Sequence, residues 1–379
     1  MRAFLYKHLT VIDRYIIKKY LGTFVFTLGI FVVISVVFDI SERLDNFLKG
    51  GAPLNEIVFQ YYAGFVPFYL NMLSPLINFL AVIFFTAKMA NQTEIVPILS
   101  GKASFNRFLR PFFISSTIVF IFSFFANVYL IPYTNRLKNG FENRYNFNDN
   151  GDANRSEVHI QVDKKTFVYL SAYEEENHVG YNFVLEKFDG DKMLEKLTAQ
   201  TIVYDSLKRT WTIPIYDVRY IDGLNERMEH GTNMVYRTLE NTTNKTLPAL
   251  DMHPTDFVVR DNVWSAISTS ELNRDIIKEK MRGTGVLLDM QYEEYRRFVY
   301  PLATYVLTLI GVSISSRKVR GGIGLPLGIG IFLCFSYIVV DKFAIVFSTK
   351  GGVPPIITVF TPNVLFGLLG YYLLLKAPK

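Results

Sequence analysis

The sequence has a single cysteine in 379 residues. That residue, Cys334, lies inside an apolar run, so no disulfide framework is available to the hydrophilic part of the chain, which must fold on its own core. Enzyme signatures are missing as well. The five histidines (His8, His159, His178, His230 and His253) are scattered without metal-ligand spacing, and neither a Gly-x-Ser-x-Gly elbow nor a paired-cysteine motif occurs. Gly101-Lys102 has Val96 where a phosphate loop needs its upstream glycine. The expectation is a chain that is not an enzyme, holds no metal or cofactor and hydrolyses no ATP by itself; work on a substrate would draw on a partner or an ion gradient. Charge is scarce too, at 20% of residues against 50% hydrophobic and 15% aromatic.

What is present is long apolarity, with a mean hydropathy of +0.20. Uncharged runs of about 18 residues or more are long enough to cross a bilayer, and they occur at 21–38, 57–87, 111–131, 298–316, 323–340 and 353–375. Three precede and three follow a hydrophilic insert, which divides the chain into a first membrane half (1–131), an outer β domain (132–293) and a second membrane half (294–379). None of the six runs holds an ionisable residue of the kind a gradient-driven carrier places at mid-membrane. Prolines (Pro67, Pro75, Pro301, Pro326, Pro354, Pro355 and Pro362) read as ordinary membrane-helix kinks.

Orientation follows from the cations, because short loops rich in Lys and Arg stay cytoplasmic. Lys7, Arg14, Lys18 and Lys19 precede the first span; Lys88, Lys102, Arg107 and Arg110 surround the second loop; Arg317, Lys318 and Arg320 fill the fourth; Lys376 and Lys379 end the chain. All fall on one side. Both termini are therefore expected in the cytoplasm, the insert outside, and the net charge of +6 marks topology rather than nucleic-acid binding. The first run ends in Phe-Asp-Ile-Ser-Glu rather than at a small-residue cleavage site, which favours an uncleaved span over a signal peptide.

Within the insert, residues 158–237 shift to short alternating runs. Phe167, Tyr169, Tyr181, Phe183 and Leu185 recur at period two, Asp189-Gly190 offers a tight turn, and Trp211, Ile213 and Ile215 open another strand. The pattern predicts antiparallel β structure of the sandwich or jelly-roll kind. The aromatic alternation is either the inward face of a folded sheet or the lining of a groove for acyl chains, with Phe167, Tyr169 and Phe183 as candidates. Residues 143–155 and 240–245 read as polar loops. Ser268-Thr-Ser-Glu271 has capping-box spacing ahead of a helix to about Met281, and a second helix, from about Val286, carries Arg296 and Arg297 into the fourth span.

The cytoplasmic strip "NQTEIVPILSGKASFNRF" (91–108) is short and polar between two apolar spans. Thr93 or Asn91 would cap a short helix over about 92–100, with Glu94 in its first turn, where the dipole favours an acid. Ile95, Ile98 and Leu99 give that helix an apolar face before Ser100-Gly101 ends it. Such an element suits the grip of a peripheral ATPase; equally, Glu94 could simply complete a capping box.

Several strips taken together resemble the LptF/LptG family of lipopolysaccharide export permeases: "DRYIIKKYLGTF" (13–24), "TEIVPILSGKASFNRF" (93–108), "EEYRRFVYPLA" (293–303), "GGVPP" (351–355) and "TPN" (361–363). The likeness runs along essentially the whole chain, and the Asp-Arg-Tyr start favours the LptG side. It implies an inner-membrane ABC-transporter subunit of six transmembrane helices with an inserted extracytoplasmic jelly-roll-like domain. Implied partners are a cytoplasmic ATPase dimer that uses the ATP, a paralogous permease subunit, a periplasmic lipid-carrying bridge protein, and lipopolysaccharide. The resemblance makes the strip a coupling helix, with Glu94 as the acid that pairs with an arginine of the ATPase; Gly101, Ser104 and Arg107 match the pattern that follows, while Pro97 and Lys102 depart from it. It further implies a lateral gate from the first and fifth spans of two related subunits, with cations near the outer end of the first span, here Arg43 and Lys49, meeting the phosphorylated sugar head. A charge-assisted contact of that kind is worth about 1.5–3 kcal/mol, although Arg43 and Lys49 would serve as well as interfacial anchors against Glu42 and Asp45. Two rival readings remain at this stage: an ABC-coupled subunit that transmits force to an envelope partner without carrying lipid, and a membrane-anchored enzyme or scaffold.

Overall fold

The computed structural model describes residues 9–101, 104–145, 157–174, 177–239, 241, 245–257, 263–282, 286–317 and 322–376. Lys7, Lys102, Lys318, Arg320 and Lys379, together with most of the two polar loops, lie outside them. Contacts divide the chain into two compact units. One joins Met1–Phe147, Trp264–Ser270 and Leu288–Lys379; the other joins Asn148–Val263 and Glu271–Leu287.

The first unit is a helical bundle. Its long helices are α1 (Val11–Lys49), α2 (Leu54–Asn91) and α4 (Phe105–Arg144), then, after the insert, α7 (Leu287–Ser315), α8 (Gly324–Thr349) and α9 (Pro355–Leu375). All six are long and apolar enough to cross a membrane. The short α3 (Ile95–Ser100) links α2 to α4. The helices outrun the apolar stretches because helical hydrogen bonding does not stop where hydropathy drops: α1 begins at a Thr10–Asp13 capping box and carries its polar C-terminal end to Lys49. π-turns at Ile57–Tyr62 and Ala126–Leu130 interrupt α2 and α4.

Small and polar residues hold the bundle, since lipid tails give apolar faces no reason to prefer one another. At Gly64 an added Cβ would stand 2.4 Å from the Thr134 carbonyl oxygen, so α2 and α4 approach almost backbone to backbone. The Tyr20 hydroxyl donates to Asn78 Oδ1, and Asn78 Nδ2 donates to Thr308 Oγ1 at 3.0 Å, tying α1, α2 and α7. Asn71 and Asn127 exchange hydrogen bonds of 2.9 and 3.0 Å between α2 and α4. Asn363, from the Thr-Pro-Asn strip, accepts from the Tyr337 hydroxyl at 3.2 Å, joining α8 to α9.

The second unit is an antiparallel β domain placed between the third and fourth membrane helices. Its strands are β1 (Val158–Asp163), β2 (Thr166–Leu170), β3 (Ala172–Glu174), β4 (Val179–Asp189), β5 (Lys192–Asp205), β6 (Thr210–Asp222) and β7 (Asn225–Arg237). The hydrogen-bonded order is β1-β2-β4-β5-β6-β7, with β3 also on β4. Neighbours in sequence are thus mostly neighbours in space, and the described strands form one continuous path rather than two separate sheets. Asp189 pairs with Lys192 around Gly190, whose φ of +63° is the left-handed conformation the expected tight turn requires. One face of the sheet is sealed around Trp211, Tyr173, Phe183, Leu185 and Leu197, with Leu250, Met252 and Phe257 of the following segment. Trp211 Nε1 donates to the Met252 carbonyl at 2.9 Å, so the largest core side chain also satisfies its one polar atom. The helix expected after Ser268 is α6 (Thr269–Arg282), preceded by the single turn α5 (Val263–Ala266).

Candidate functional site

The two sequence strips that open the chain and cross the second loop meet in space. Asp13, nearly sealed at 2% exposure, receives both ends of the Arg107 guanidinium: Nη1 on Oδ1 and Nη2 on Oδ2, each at 2.7 Å. Thr10 completes the arrangement, its amide donating to Asp13 Oδ2 at 3.0 Å and its hydroxyl accepting from the Asp13 amide at 3.3 Å. Arg107 is placed by a cap of its own, since its amide donates to Ser104 Oγ at the start of α4. A planar fork on a carboxylate fixes direction as well as distance, which a lysine would not.

Between these anchors α3 differs from expectation at its N-terminus. Thr93 sits at φ +59° with its hydroxyl turned back to the Gln92 carbonyl, and Glu94 itself occupies the N-cap without a side-chain cap bond. Neither Thr93 nor Asn91 caps the helix, and the Asn-Gln-Thr-Glu capping box does not form: a left-handed Thr93 turns the chain the wrong way for it. Freed from capping, the Glu94 carboxylate accepts from the Tyr15 hydroxyl at 3.1 Å. Pro97, a departure from the family pattern, falls in the first turn, where its missing N–H costs no helical bond. Gly101 closes the helix at φ −72°, with its amide on the Pro97 carbonyl at 3.0 Å, so no left-handed conformation demands a glycine there.

The predicted apolar face faces inward. Ile95 is buried in one cluster with Ile16, Tyr20, Phe105 and Phe108, and Ile98 and Leu99 pack at the margin of the same cluster. The outward surface is Gln92, Thr93, Val96, Pro97, Ser100 and Gly101. Of the candidate coupling residues Glu94, Ile95, Ile98, Leu99, Gly101 and Arg107, Ile95 and Arg107 hold the loop to its own chain. Glu94 is half-buried, Ile98 and Leu99 are partly so, and Gly101 is exposed. Val96 and Pro97 are the surface residues the sequence pattern did not single out.

At the other end of α1, Arg43 is surrounded by acids. It bonds Glu142 at 3.0 Å and approaches Asp39 at 3.5 Å, while Lys138 reaches Glu142 at 3.3 Å. Asp39 also accepts from the Tyr61 and Tyr62 hydroxyls at 2.8 and 3.0 Å, beside the π-turn in α2. Lys49, one of the two expected head-group cations, is exposed in the last turn of α1, while Arg43 is tied into this network.

In the β domain the three aromatic candidates separate. Val168 pairs with Leu185 on the sealed face, and Phe183 is fully buried there. Phe167 and Tyr169, one residue either side of Val168, point to the opposite face. They line a cleft of about 510 Å³ together with Gln161, Val184, Lys196 and Arg282. Its charges are internally matched: Lys196 with Glu186 at 2.8 Å, and Arg282 with Asp251 and Asp256 at 3.0 and 2.8 Å.

A further polar anchor was not anticipated. Arg297, 2% exposed, donates to the Trp264 and Ile267 carbonyls at 2.7 and 2.8 Å and to Thr269 Oγ1 at 3.0 Å. Asn135 donates to Ser265 at 3.0 Å. The chain returning from the insert is thus gripped by Asn135 of α4 and Arg297 of α7. The only sequence signal was the Arg296-Arg297 pair at the entry to the fourth span.

Six apolar helices, an antiparallel domain inserted between the third and fourth, and a short anchored helix between the second and third define a multi-span membrane protein with an inserted β domain. The lipopolysaccharide export system permease LptF/LptG family matches residues 14–376, and the chain belongs to that family. The match covers nearly the whole chain and describes both permeases in common. Comparison with curated protein sequences gave no individual match. The protein is therefore a multi-pass inner-membrane component of lipopolysaccharide export.

Proposed function

We propose that the protein is the membrane subunit of an ATP-driven transporter that takes lipopolysaccharide from the inner membrane and hands it to its own β domain. The observation that carries this reading is the short helix α3, seated on the bundle through Ile95 and presenting Glu94, Val96 and Pro97 at the end of two membrane helices. A cytoplasmic ATPase dimer would hold that surface, with Glu94 meeting a cation there, and nucleotide-driven closure would reach the bundle through it. The cations flanking α2 and α4 support a cytoplasmic loop, hence cytoplasmic termini and a periplasmic β domain.

Least covered by their own chain are α1 and α8, with 6% and 22% of their apolar windows buried. Those faces suit a gate shared with a paralogous permease, through which acyl chains would enter. Moving each methylene into water costs about 0.8 kcal/mol, so several chains need both an energy source and an apolar shelter. Phe167 and Tyr169 on the cleft offer the start of that shelter, from which a periplasmic bridge protein would accept the lipid. Exposed Lys49 is the better placed of the two cations for a head-group phosphate, since Arg43 is already paired.

The test is assembly. Glu94→Lys should insert in the membrane normally but lose most of its co-purifying ATPase, whereas full retention of the ATPase would remove the coupling role. Force transmission without lipid is the alternative; a photoreactive residue at Phe167 that labels lipopolysaccharide only when ATP is hydrolysed would exclude it.

A further inference from the structure

We propose that the first turn of α1 and the loop carrying α3 are clamped into one rigid piece, so that α1 is moved directly by whatever moves the loop. This rests on the coupling role given to α3 above. Two independent bridges join the same turn of α1 to either side of α3: Tyr15 to Glu94 before it, at 3.1 Å, and Asp13 to Arg107 after it, at 2.7 Å on both oxygens. A third bond runs from Arg107 Nη2 to Thr10 Oγ1 at 3.4 Å. Between the bridges, Ile95 lies buried in the same apolar cluster as Ile16 and Tyr20 of α1. The loop is therefore tied to residues 10–15 at the start of α1 by two bridges of different chemistry, one on either side of α3.

The rest of α1 is held quite differently. Its buried residues are Asp13, Ile16, Tyr20 and Phe24 at one end, and Asp39 and Phe47 at the other. No residue between Phe24 and Asp39 is buried, and Val25, Phe26, Val33, Val37 and Phe38 are more than half exposed. Along the middle of α1 only partly buried side chains, Leu28 and Phe31, pack against the bundle, so a displacement of the clamped end meets little packing there and the helix transmits it, because its backbone bonds are stiff over this length. Asp13 and Arg107 act here as positioning residues: neither is offered to the partner, since both are turned toward each other. The clamp makes the loop and the lipid-facing stretch of α1 parts of one lever, whereas an unclamped loop would swing on its two flanking turns and lose the motion.

Three measurements on the full chain test the proposal. In the purified subunit without any partner, Asp13→Asn should speed amide hydrogen exchange across 95–101 at least tenfold; unchanged exchange would overturn the clamp whether or not an ATPase binds. In the reconstituted complex, Asp13→Asn and Arg107→Gln should retain the ATPase and its hydrolysis but lower lipopolysaccharide released per ATP at least fivefold, and the exchanged pair Asp13→Arg with Arg107→Asp should recover at least half of the loss. Singles that keep the wild-type ratio would overturn it. Finally, in a Cys334→Ala background, joining Asp13→Cys to Arg107→Cys with a short thiol crosslinker should leave transport active, because the joined parts move together; transport abolished by the crosslink and regained on reduction would show that they must separate. Failure of the wild-type chain to bind any ATPase would instead contradict the coupling role and leave the exchange result standing.

Discussion

Arg43 and Lys49 sit within two turns of each other, yet the physical chemistry around them differs completely. Arg43 is the cation between Asp39 and Glu142, and lies 5.8 Å from the Tyr61 ring centre, while Lys49 is exposed. Removing Arg43 leaves enclosed carboxylates short of a partner, a loss of about 1–3 kcal/mol. Arg43→Ala should therefore lower the melting temperature of the detergent-solubilised chain by several degrees, while Lys49→Ala should leave it unchanged and reduce lipopolysaccharide binding instead. Equal effects of the two substitutions on stability would show that the network is not structural. Residue type alone could not separate these roles, because a cation at a membrane interface reads the same whether its partner lies on the same chain or in a lipid. Glu94 shows the same ambiguity in reverse: its position in the strip was legible, but not its bond to Tyr15, since contacts between residues 79 apart leave no local pattern.

At the scale of elements, the six spans, the inserted strands and the helix after Ser268 were legible because each depends on periodicity and turn chemistry within a short window. Their lengths were less so: α1 and α4 continue through polar residues that hydropathy discounts. The pairing of strands into one path, and the parting of Phe183 from Phe167 and Tyr169, depend on register, which a period-two pattern in separate strands does not fix. Close packing of α2 on α4 gives a sharp prediction. Gly64→Ala would put a methyl 2.4 Å from the Thr134 carbonyl and 2.6 Å from Lys138 Cβ, so the helices must part; the expected cost is about 1–3 kcal/mol. Gly29→Ala, with open space around it, should be neutral in the same thermal assay. A second prediction concerns α6. Burial raises the Asp275 carboxyl, with Lys278, Arg274 and Arg282 pulling it down and Glu271 adding to the rise. The folded chain then holds this proton more tightly than the unfolded one, so stability is lost as pH rises from the ordinary carboxylate range through the raised folded-state value. Asp275→Asn should raise the melting point at pH 7 and leave it unchanged near pH 3; a gain of equal size at both would exclude the ionisation as its cause.

For the whole molecule, the proposed function makes an anchored loop at one end of the bundle, two thinly covered helices and a folded β domain parts of one route for lipid. Family membership supplies the cargo, and the geometry supplies the distinction between residues that hold the chain together and those left to face a partner. On the proposed reading, its action stands or falls with coupling to an ATPase. The most direct measurement is photo-crosslinking in proteoliposomes that contain the full complex and lipopolysaccharide, with the reactive group at Val33 on the exposed middle of α1. The account predicts labelling of lipopolysaccharide that changes when ATP is hydrolysed and that loses this ATP response with Glu94→Lys. Labelling indifferent to ATP, or absent from α1 while export proceeds, would contradict it.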